Sequence, residues 1–240
     1  MDQQTELSIV TIRGETTTID AAIFQAFVNC FHGEIIRPGD AAYDDARHLW
    51  TGMIDRYPAL IARCHDAMDV IATINFARTH HLFVTVRGGR HNAEGSASCD
   101  GGLLIDLSLM KRVEVDAEAR IVRAEAGASW EDVDRATWVY GLAVPGEVVS
   151  ETGIAGPTLG GGMDWRRRMH PLATDSLRAV DVVTANGQFV RASAHEHPDL
   201  FGALRGSSGH LGVVTTFEYQ LHPLGSMAGG VQKHMTGKPR

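Results

Sequence analysis

The stretch Val84–Gly95 places an apolar strand pattern directly before a glycine turn, and it constrains the fold more than any other part of the chain. Leu82–Val86 is rich in β-branched and apolar residues, as a buried strand requires. Gly88 and Gly89 then let the backbone turn where a Cβ atom would clash. Such a turn is either an ordinary connection or a concavity whose N–H groups bind phosphate oxygens.

The side chains of this turn favour a binding site. Arg87 and Arg90 bring positive charge, His91 offers a nucleophile or a proton carrier, and Asn92 follows directly. Arginines beside a set of backbone N–H groups are typical of sites for phosphate groups. The sequence therefore predicts an anion-binding loop here, provided that the rest of the chain supports a ligand.

Length and charge limit the class of protein. The chain has 240 residues, enough for one large domain or two small lobes with a sizeable core. Its net charge of -7 argues against a nucleic-acid-binding or anionic-membrane surface. Its 26 glycines are concentrated in three clusters, at 88–102, 153–162 and 202–212. This clustering indicates backbone wrapped closely around a ligand.

Cysteine and histidine spacing indicates neither disulfides nor a metal. Cys30, Cys64 and Cys99 are widely spaced and odd in number, which suits a reducing cytoplasm. The N-terminus lacks the pattern of a signal peptide, and no apolar run reaches the length of a membrane span. His195 and His197 form an H-x-H pattern without an evident third ligand, so we expect no metal site.

The hydrophobic spacing predicts a mixture of strands and helices. Asp66 is placed to cap a helix that ends near His80, and Ser129 caps a second one. Ala185-Asn-Gly187 predicts a hairpin, and Ser193–Glu196 resembles a capping box for a helix that runs through Leu204. The predicted strands are 34–40 (which ends in a Pro-Gly turn), 60–64, 82–86, 103–107, 112–115, 121–126, 177–184, 188–192 and 212–221, and 18–31 is a further predicted helix. This order favours an α+β fold.

The second glycine cluster, Gly153–Gly162, does not fit the common nucleotide-binding motifs. The spacing differs from G-x-G-x-x-G, no apolar helix follows, and no Gly-Lys-Ser/Thr sequence occurs. We expect this cluster to be extended backbone that lies close to a flat ligand or to another strand. Asp106 and Asp181, each in an apolar strand, are expected to be hydrogen-bonded structural carboxylates.

Nine ordered motifs resemble one family. They are Arg87–Asn92, Cys99–Ser108, Trp130–Asp134, Gly141–Gly146, Thr158–Gly162, Asp181–Gly187, Asp199–Phe201, Ala203–Gly206 and Gly212–Thr215. This order is similar to the FAD-binding module of the berberine-bridge-enzyme-like flavin oxidases, in the vanillyl-alcohol-oxidase superfamily. The resemblance covers about 34–230 and implies a two-lobed, PCMH-type α+β fold.

The resemblance also implies roles for single residues. The loop Arg87–Asn92 would cradle the FAD pyrophosphate, and His91 would bond covalently to the flavin 8α-methyl. Gly153–Gly162 would pass the isoalloxazine and ribityl chain, and Gly212–Val214 the adenine end. The implied cofactor-binding residues are Arg87, Gly88, Gly89, Arg90, His91, Asn92, Gly153, Gly156, Thr158, Gly160, Gly161, Gly162, Gly212, Val213 and Val214.

Several positions depart from the family pattern. Val149 lies near the cysteine that makes a second flavin bond in many members, so at most one covalent link is expected. Arg90 stands at a usual glycine, where it either neutralises the pyrophosphate or strains a positive φ. Further departures are Met163-Asp164, Pro171 and Ser207–His210, and Arg166–Arg168 is expected to be a solvated face.

The resemblance divides the chain into an N-terminal helical extension (1–33), a first FAD-binding lobe (34–86), a second (87–224) and a flexible tail (225–240). Family members continue through a substrate domain that holds the catalytic base, so no base is identified here. The implied function is an FAD-dependent oxidoreductase of a small molecule, or its FAD-binding half. The alternative is a truncated, non-catalytic flavin-binding module. A partner chain that supplies the substrate domain, or self-association over exposed apolar surface, is also expected.

Overall fold

The computed structural model describes residues 6–162, 172–206 and 210–225. The strands are β1 (Leu7–Val10), β2 (Thr16–Ile19), β3 (Glu34–Ile36), β4 (Leu60–Arg63), β5 (Val84–Arg87), β6 (Leu103–Asp106), β7 (Val113–Asp116), β8 (Ile121–Glu125), β9 (Leu142–Ala143), β10 (Leu177–Val183), β11 (Phe189–Ser193), β12 (Val213–Gln220) and β13 (His222–Pro223). The helices are α1 (Ala21–Asn29), α2 (Tyr43–Arg47), α3 (Ala67–Thr79), α4 (Trp130–Trp138), α5 (Ala155–Gly160), α6 (Ala173–Ser176) and α7 (Pro198–Leu204).

The first half of the chain builds a four-stranded sheet in the order β3-β4-β6-β5. β4, β6 and β5 run parallel, and β3 pairs antiparallel with β4. α3 connects β4 to β5, and the Asp66 side chain accepts hydrogen bonds from Met68 N and Asp69 N, which confirms the predicted cap. β6 belongs to this sheet, although the sequence interpretation assigned it to the second lobe.

The second half builds a five-stranded antiparallel sheet in the order β11-β10-β12-β8-β7. The predicted hairpin joins β10 to β11, and Val183 pairs with Phe189 beside its turn. α4 begins with the predicted capping box, because Ser129 and Asp132 bond each other's backbone N–H groups. The two sheets and their helices form the two-lobed α+β fold that the sequence predicts.

The N-terminal segment is part of the core. Strands β1 and β2 form a hairpin before α1, so the predicted helical extension also contains two strands. Leu7 and Ile9 are buried in a contiguous hydrophobic cluster that includes residues of both larger sheets. Val10 N donates to Gly101 O, and Phe83 N donates to Val10 O, which ties β1 to the segments that flank β5 and β6.

Two local predictions are wrong. Ser193 Oγ accepts from His195 N and Glu196 N inside a turn, and α7 starts only at Pro198, whose missing N–H suits the first helical turn. In the second glycine cluster, Ala155–Gly160 is the short helix α5, and within the cluster only Gly153 pairs with another segment as a strand would, in a bridge to Ser129. Among the described helices, none has the length and apolar character needed to cross a membrane.

Candidate functional site

The glycine turn after β5 contacts the second glycine cluster directly. A Cβ atom on Gly89 would lie 2.3 Å from the Cα of Gly153, and a Cβ atom on Gly88 would lie 2.9 Å from Ala126 O. All of these neighbours are backbone atoms, which cannot move aside as a flexible side chain can. Two glycine clusters that are far apart in the sequence therefore meet, and their approach requires glycine at 89 and at 153.

The segment Ala126–Ser129, directly after β8, contacts the first two glycine clusters and β12. Ala126 O faces Gly88, Ala128 O accepts from Ile154 N at 3.0 Å, and Ala126 N donates to Thr215 O at 3.0 Å. Thr215 follows the third cluster on β12. Gly127 is tightly enclosed, since a Cβ there would lie 1.9 Å from Leu107 O. This junction brings backbone from both lobes together.

Helix α5 presents a face without side chains. Gly156 and Gly160 are one helical turn apart, and no described heavy atom lies within 4 Å of a Cβ placed on either. Thr158 faces the interior instead: its side chain is fully buried, and Oγ1 lies 2.7 Å from the Tyr219 hydroxyl. Burial raises the pKa of the Tyr219 phenol, so it stays protonated. The Thr158 side chain is thus a structural group, and its backbone is also engaged, because Thr158 N donates to Ile154 O and Thr158 O accepts from Gly161 N.

The end of α5 has the backbone of a close-approach site. Gly161 and Gly162 have φ values of +117° and +70°, which favour glycine. Thr174 N donates to Gly161 O, and Thr174 Oγ1 is a buried hydroxyl with no hydrogen-bond partner in the described part of the chain. An open glycine face beside an unpaired hydroxyl fits a flat, polar-edged cofactor such as a flavin.

The Arg87 side chain turns away from the loop. Its guanidinium is fully buried and donates to Asp106 Oδ2 at 2.6 Å and to the carbonyls of Ala46 and Arg47. Burial alone would raise the pKa of Asp106, but Arg87 outweighs it and holds that pKa below its ordinary value. Asp106 is therefore the structural carboxylate that the sequence predicts. Arg87 brings no free charge to the concavity, contrary to the expectation for its side chain.

Arg90, His91 and Asn92 lie where the chain leaves the glycine turn. Arg90 has φ +63°, so this arginine adopts the strained conformation considered in the sequence analysis. Its Nη1 donates to Asp45 O, and burial, followed by the charge of Arg87, lowers the pKa of its guanidinium. Asn92 bonds Ser96 Oγ and Ala97 N, which closes the loop on itself. His91 is half-buried.

The third cluster marks the start of β12. Gly212 has φ +143°, and a Cβ there would lie 2.8 Å from Val183 O. The side chains of Val213 and Val214 are buried, and their backbone pairs with β10 at Val183 and Val182. Thr215, directly after Val214, accepts a hydrogen bond from Ala126 N and so connects β12 to the junction.

Some positions named from the sequence lie outside the part of the chain that the structure describes, and some residues of the site were not predicted. Met163, Asp164, Arg166–Arg168, Pro171, Ser207–Gly209 and 226–240 lie outside the described residues. The sequence interpretation missed Gly127 and Trp50, whose indole stacks on the His91 ring. A lone glycine directly after a strand is a signal for close backbone approach and marks Gly127. No local pattern indicates the contact that Trp50 makes. His195 and His197 lie in the turn before α7 and face no common ligand position.

Comparison with known proteins identifies the family. Residues 58–193 match the FAD binding domain family. The FAD-linked oxidoreductase pgmH of Aspergillus terreus is 36% identical over 217 residues, which are 89% of this chain and 44% of that protein. The crystal structure of 6-hydroxy-D-nicotine oxidase from Arthrobacter nicotinovorans superposes with a TM-score of 0.78 at 35% identity, over 80% of this chain and 43% of that one.

A third relative is known with its cofactor bond. Glucooligosaccharide oxidase from Acremonium strictum, which carries 6-S-cysteinyl, 8α-N1-histidyl FAD, superposes with a TM-score of 0.78 at 26% identity, over 83% of this chain and 42% of that one. The chain thus spans less than half the length of these relatives. Its matched family, fold and ordered motifs agree: the chain belongs to the FAD binding domain family, as the PCMH-type module of berberine-bridge-enzyme-like FAD-linked oxidoreductases.

Proposed function

We propose that this chain is the FAD-binding half of an oxidoreductase that transfers hydride from a substrate C–H bond to flavin N5. The observation that carries the proposal is the junction at Ala126–Ser129, where the first two glycine clusters meet each other and β12 beside the side-chain-free face of α5. We propose that the closely packed backbone of the junction fixes the loop 87–92 and α5 next to each other, so that one extended dinucleotide can contact both. We also propose that the lobes divide after Asp106, because β6 completes the first sheet.

We propose the following contacts. Backbone N–H groups of the loop 87–92 bind the pyrophosphate, with the Arg90 guanidinium as the free charge nearest to it. Gly153, Gly156 and Gly160–Gly162 lie along the isoalloxazine and ribityl chain. Gly212–Val214 line the adenine end. The open Cβ positions of Gly156 and Gly160 support the second of these contacts.

We propose His91 as a single covalent attachment point, by analogy with the histidyl bond in glucooligosaccharide oxidase. When bound, FAD would supply the hydride acceptor. On attachment, an N–C bond would form between the imidazole and the flavin methyl, and one imidazole N–H bond and one methyl C–H bond would be lost. The two protons and two electrons released would reduce the flavin, and dioxygen would reoxidise it. The chain has no cysteine after Cys99 to make a second bond. His91 holds the ring in place, so the cofactor stays positioned for reaction.

We propose that the catalytic base of this reaction lies outside the described residues. Proton abstraction from a substrate hydroxyl requires a base within hydrogen-bond reach. Because the chain spans less than half the length of its relatives, we propose that a partner chain supplies the substrate domain or that the chain self-associates. We therefore expect little or no turnover of alcohols or sugars by the chain alone. The same coverage favours, as a second function, a flavin-binding module without turnover.

We propose a cytoplasmic location, no metal and a small-molecule substrate, with no role in nucleic-acid or membrane binding. The three free cysteines and the net charge of -7 support this assignment.

The test is reconstitution with FAD. The full chain should bind FAD and, after denaturing electrophoresis, keep flavin fluorescence; His91→Ala should bind FAD but lose that fluorescence. His195→Ala, in an exposed turn, is the matched control and should behave as the wild type. Fluorescence that survives in His91→Ala would refute the assignment of the bond. Failure of the wild type to bind FAD would refute the function itself.

The two functions are separated by anaerobic reduction of the bound flavin. An oxidoreductase half should be reduced by an alcohol or sugar only when the missing domain of a relative is added. A non-catalytic module should stay oxidised in both mixtures. Rapid reduction by the chain alone, lost on mutation of a residue within it, would show that a complete active site is present and that this proposal is wrong.

A further inference from the structure

Trp50 stacks on the histidine proposed to hold the flavin. The centroids of the Trp50 and His91 rings lie 5.2 Å apart, and the ring planes are inclined by 17°. Trp50 N also donates to Arg90 O at 3.0 Å, which links the backbones of the two segments. The Trp50 side chain is 70% exposed, so burial in the core does not explain its position. The position of Trp50 is instead set by the contacts of the segment that carries it.

That segment, His48–Tyr57, is fixed at both ends. At the first end, the buried Arg47 side chain forms ion pairs with Asp44 and Asp55, and its guanidinium lies 4.0 Å from the centre of the Tyr57 ring. At the second end, Tyr57 N donates to Asp100 Oδ1 at 2.8 Å. These contacts hold the two ends of the segment together.

The middle of the segment lies on the loop that follows His91. A Cβ atom on Gly95 would lie 3.2 Å from two side-chain atoms of Ile54, which places Ile54 over the loop. Trp50 therefore contacts the loop at Arg90 and His91, and Ile54 contacts the same loop at Gly95. Such a double contact fixes the indole against the imidazole although both rings reach solvent.

We propose that Trp50 is a positioning residue for His91, which orients the imidazole for attachment to the flavin. This rests on the proposed function, in which His91 makes the bond. A histidine ring rotates over a broad range about its second side-chain torsion, and a stacked indole restricts that rotation and covers one face of the ring. A restricted ring spends more time in the geometry from which the N–C bond forms, and the flavin takes up the two protons and two electrons released before dioxygen reoxidises it.

The first test measures the rate of covalent FAD incorporation into the full chain by flavin fluorescence on denaturing gels. Trp50→Ala should slow incorporation by about tenfold or more, because small losses of alignment carry large rate penalties. Trp50→Phe, which keeps a stacking ring, should recover most of the rate. Trp138→Ala, at another exposed tryptophan on α4, is the matched control and should match the wild type.

The second test does not depend on flavin. In the flavin-free chain, the carbon-bound ring protons of His91 should be shifted upfield in the NMR spectrum by the indole ring current. The shift should disappear in Trp50→Ala and persist in Trp138→Ala. His91→Ala assigns the resonances, and thermal melting shows that each variant is folded.

The outcomes separate the two proposals. Wild-type incorporation by Trp50→Ala, with none by His91→Ala, overturns the role of Trp50 and leaves the bond to His91 standing. No covalent flavin in the wild type overturns the bond and the positioning role with it. His91 resonances without a ring-current shift overturn the stacking contact, whatever the flavin result.

Discussion

Each of the two larger sheets carries an acid–arginine arrangement, and the two differ in burial. In the four-stranded sheet, Arg87 and Asp106 are both fully buried. In the five-stranded sheet, Asp181 bonds Arg123 and Arg191, whose side chains remain 37% and 34% exposed. A buried ion pair loses hydration that an exposed pair keeps, so the first arrangement is costly to form and costly to break.

The difference follows the location of the site. Arg87 lies at the base of the glycine turn and also donates to carbonyls at the end of α2, so the buried pair connects the turn to the segment that leads to Trp50. The Asp181 arrangement links side chains of three strands, β8, β10 and β11, across the face of a sheet. We infer that the buried pair fixes the position of the loop, whereas the exposed one makes a small contribution to sheet stability.

The largest expected effect is on the buried pair. Arg87→Met should lower the free energy of unfolding by about 3–5 kcal/mol, because it leaves the buried Asp106 with only the longer contact to Arg63, at 3.4 Å, as a cationic partner. Arg191→Met, in the exposed arrangement, should cost at most about 1 kcal/mol. Urea denaturation of both variants measures the contrast. Equal losses would show that burial does not distinguish the two arrangements.

A smaller effect is expected from acid. Since the pKa of Asp106 is held below its ordinary value of about 3.9, its contribution to stability is complete above that value and is lost as pH falls through the lowered one. Each unit of lowering contributes about 1.4 kcal/mol. Urea denaturation at successively lower pH should show a shallower acid loss in Asp106→Asn than in the wild type. Parallel curves for the two proteins would contradict this.

The glycine junction should separate folding from binding. Gly89→Ala should destabilise the chain by about 1–3 kcal/mol and abolish FAD binding, because its Cβ meets the Gly153 backbone. Gly156→Ala meets no described atom, so the fold should be unharmed or gain about 0.5–1 kcal/mol from helix propensity. Its affinity for FAD should nevertheless fall. Thermal melting and flavin titration give both quantities, and unchanged affinity in Gly156→Ala would exclude the α5 face as a contact.

The smallest expected effect concerns backbone strain at Arg90. Arg90→Gly should raise the free energy of unfolding by up to about 1 kcal/mol, since a left-handed conformation suits glycine. Arg120→Gly, at φ +54° in the turn between β7 and β8, is the matched control for strain alone. If the Arg90 guanidinium also binds the pyrophosphate, Arg90→Gly will bind FAD more weakly than the wild type, and Arg120→Gly will not. Equal FAD affinity in the two variants would remove Arg90 from the site.

The parts of the fold that depend on local chemistry could be predicted from sequence. The caps at Asp66 and Ser129 and the turn at Ala185-Asn-Gly187 each satisfy backbone groups with residues nearby. The sequence at Ser193–Glu196 misled because the same hydroxyl that caps a helix also closes a turn, and Pro198 set the real start of α7. At this position, the proline determined the start of the helix, and the serine pattern did not.

The parts that depend on distant partners could not be predicted. β6 joins the first sheet through parallel pairing with β4 and β5, which leaves no mark in its own residues. Arg87 turned inward because Asp106 lies opposite it in that pairing. The glycine clusters predicted where backbone would approach closely, but not that Ala126–Ser129 joins them. Trp50 escaped prediction since its partner lies on another segment.

The approach of Gly89 to Gly153 also implies an order of events during folding. α3 and the β10–β11 hairpin close short stretches of chain, so their formation is fast. The glycine junction closes a long loop between two sheets and has a larger entropic cost. We therefore expect FAD to bind only at the end of refolding. In stopped-flow experiments, quenching of flavin fluorescence should lag behind the far-ultraviolet signal of the helices, and simultaneous changes would contradict this order.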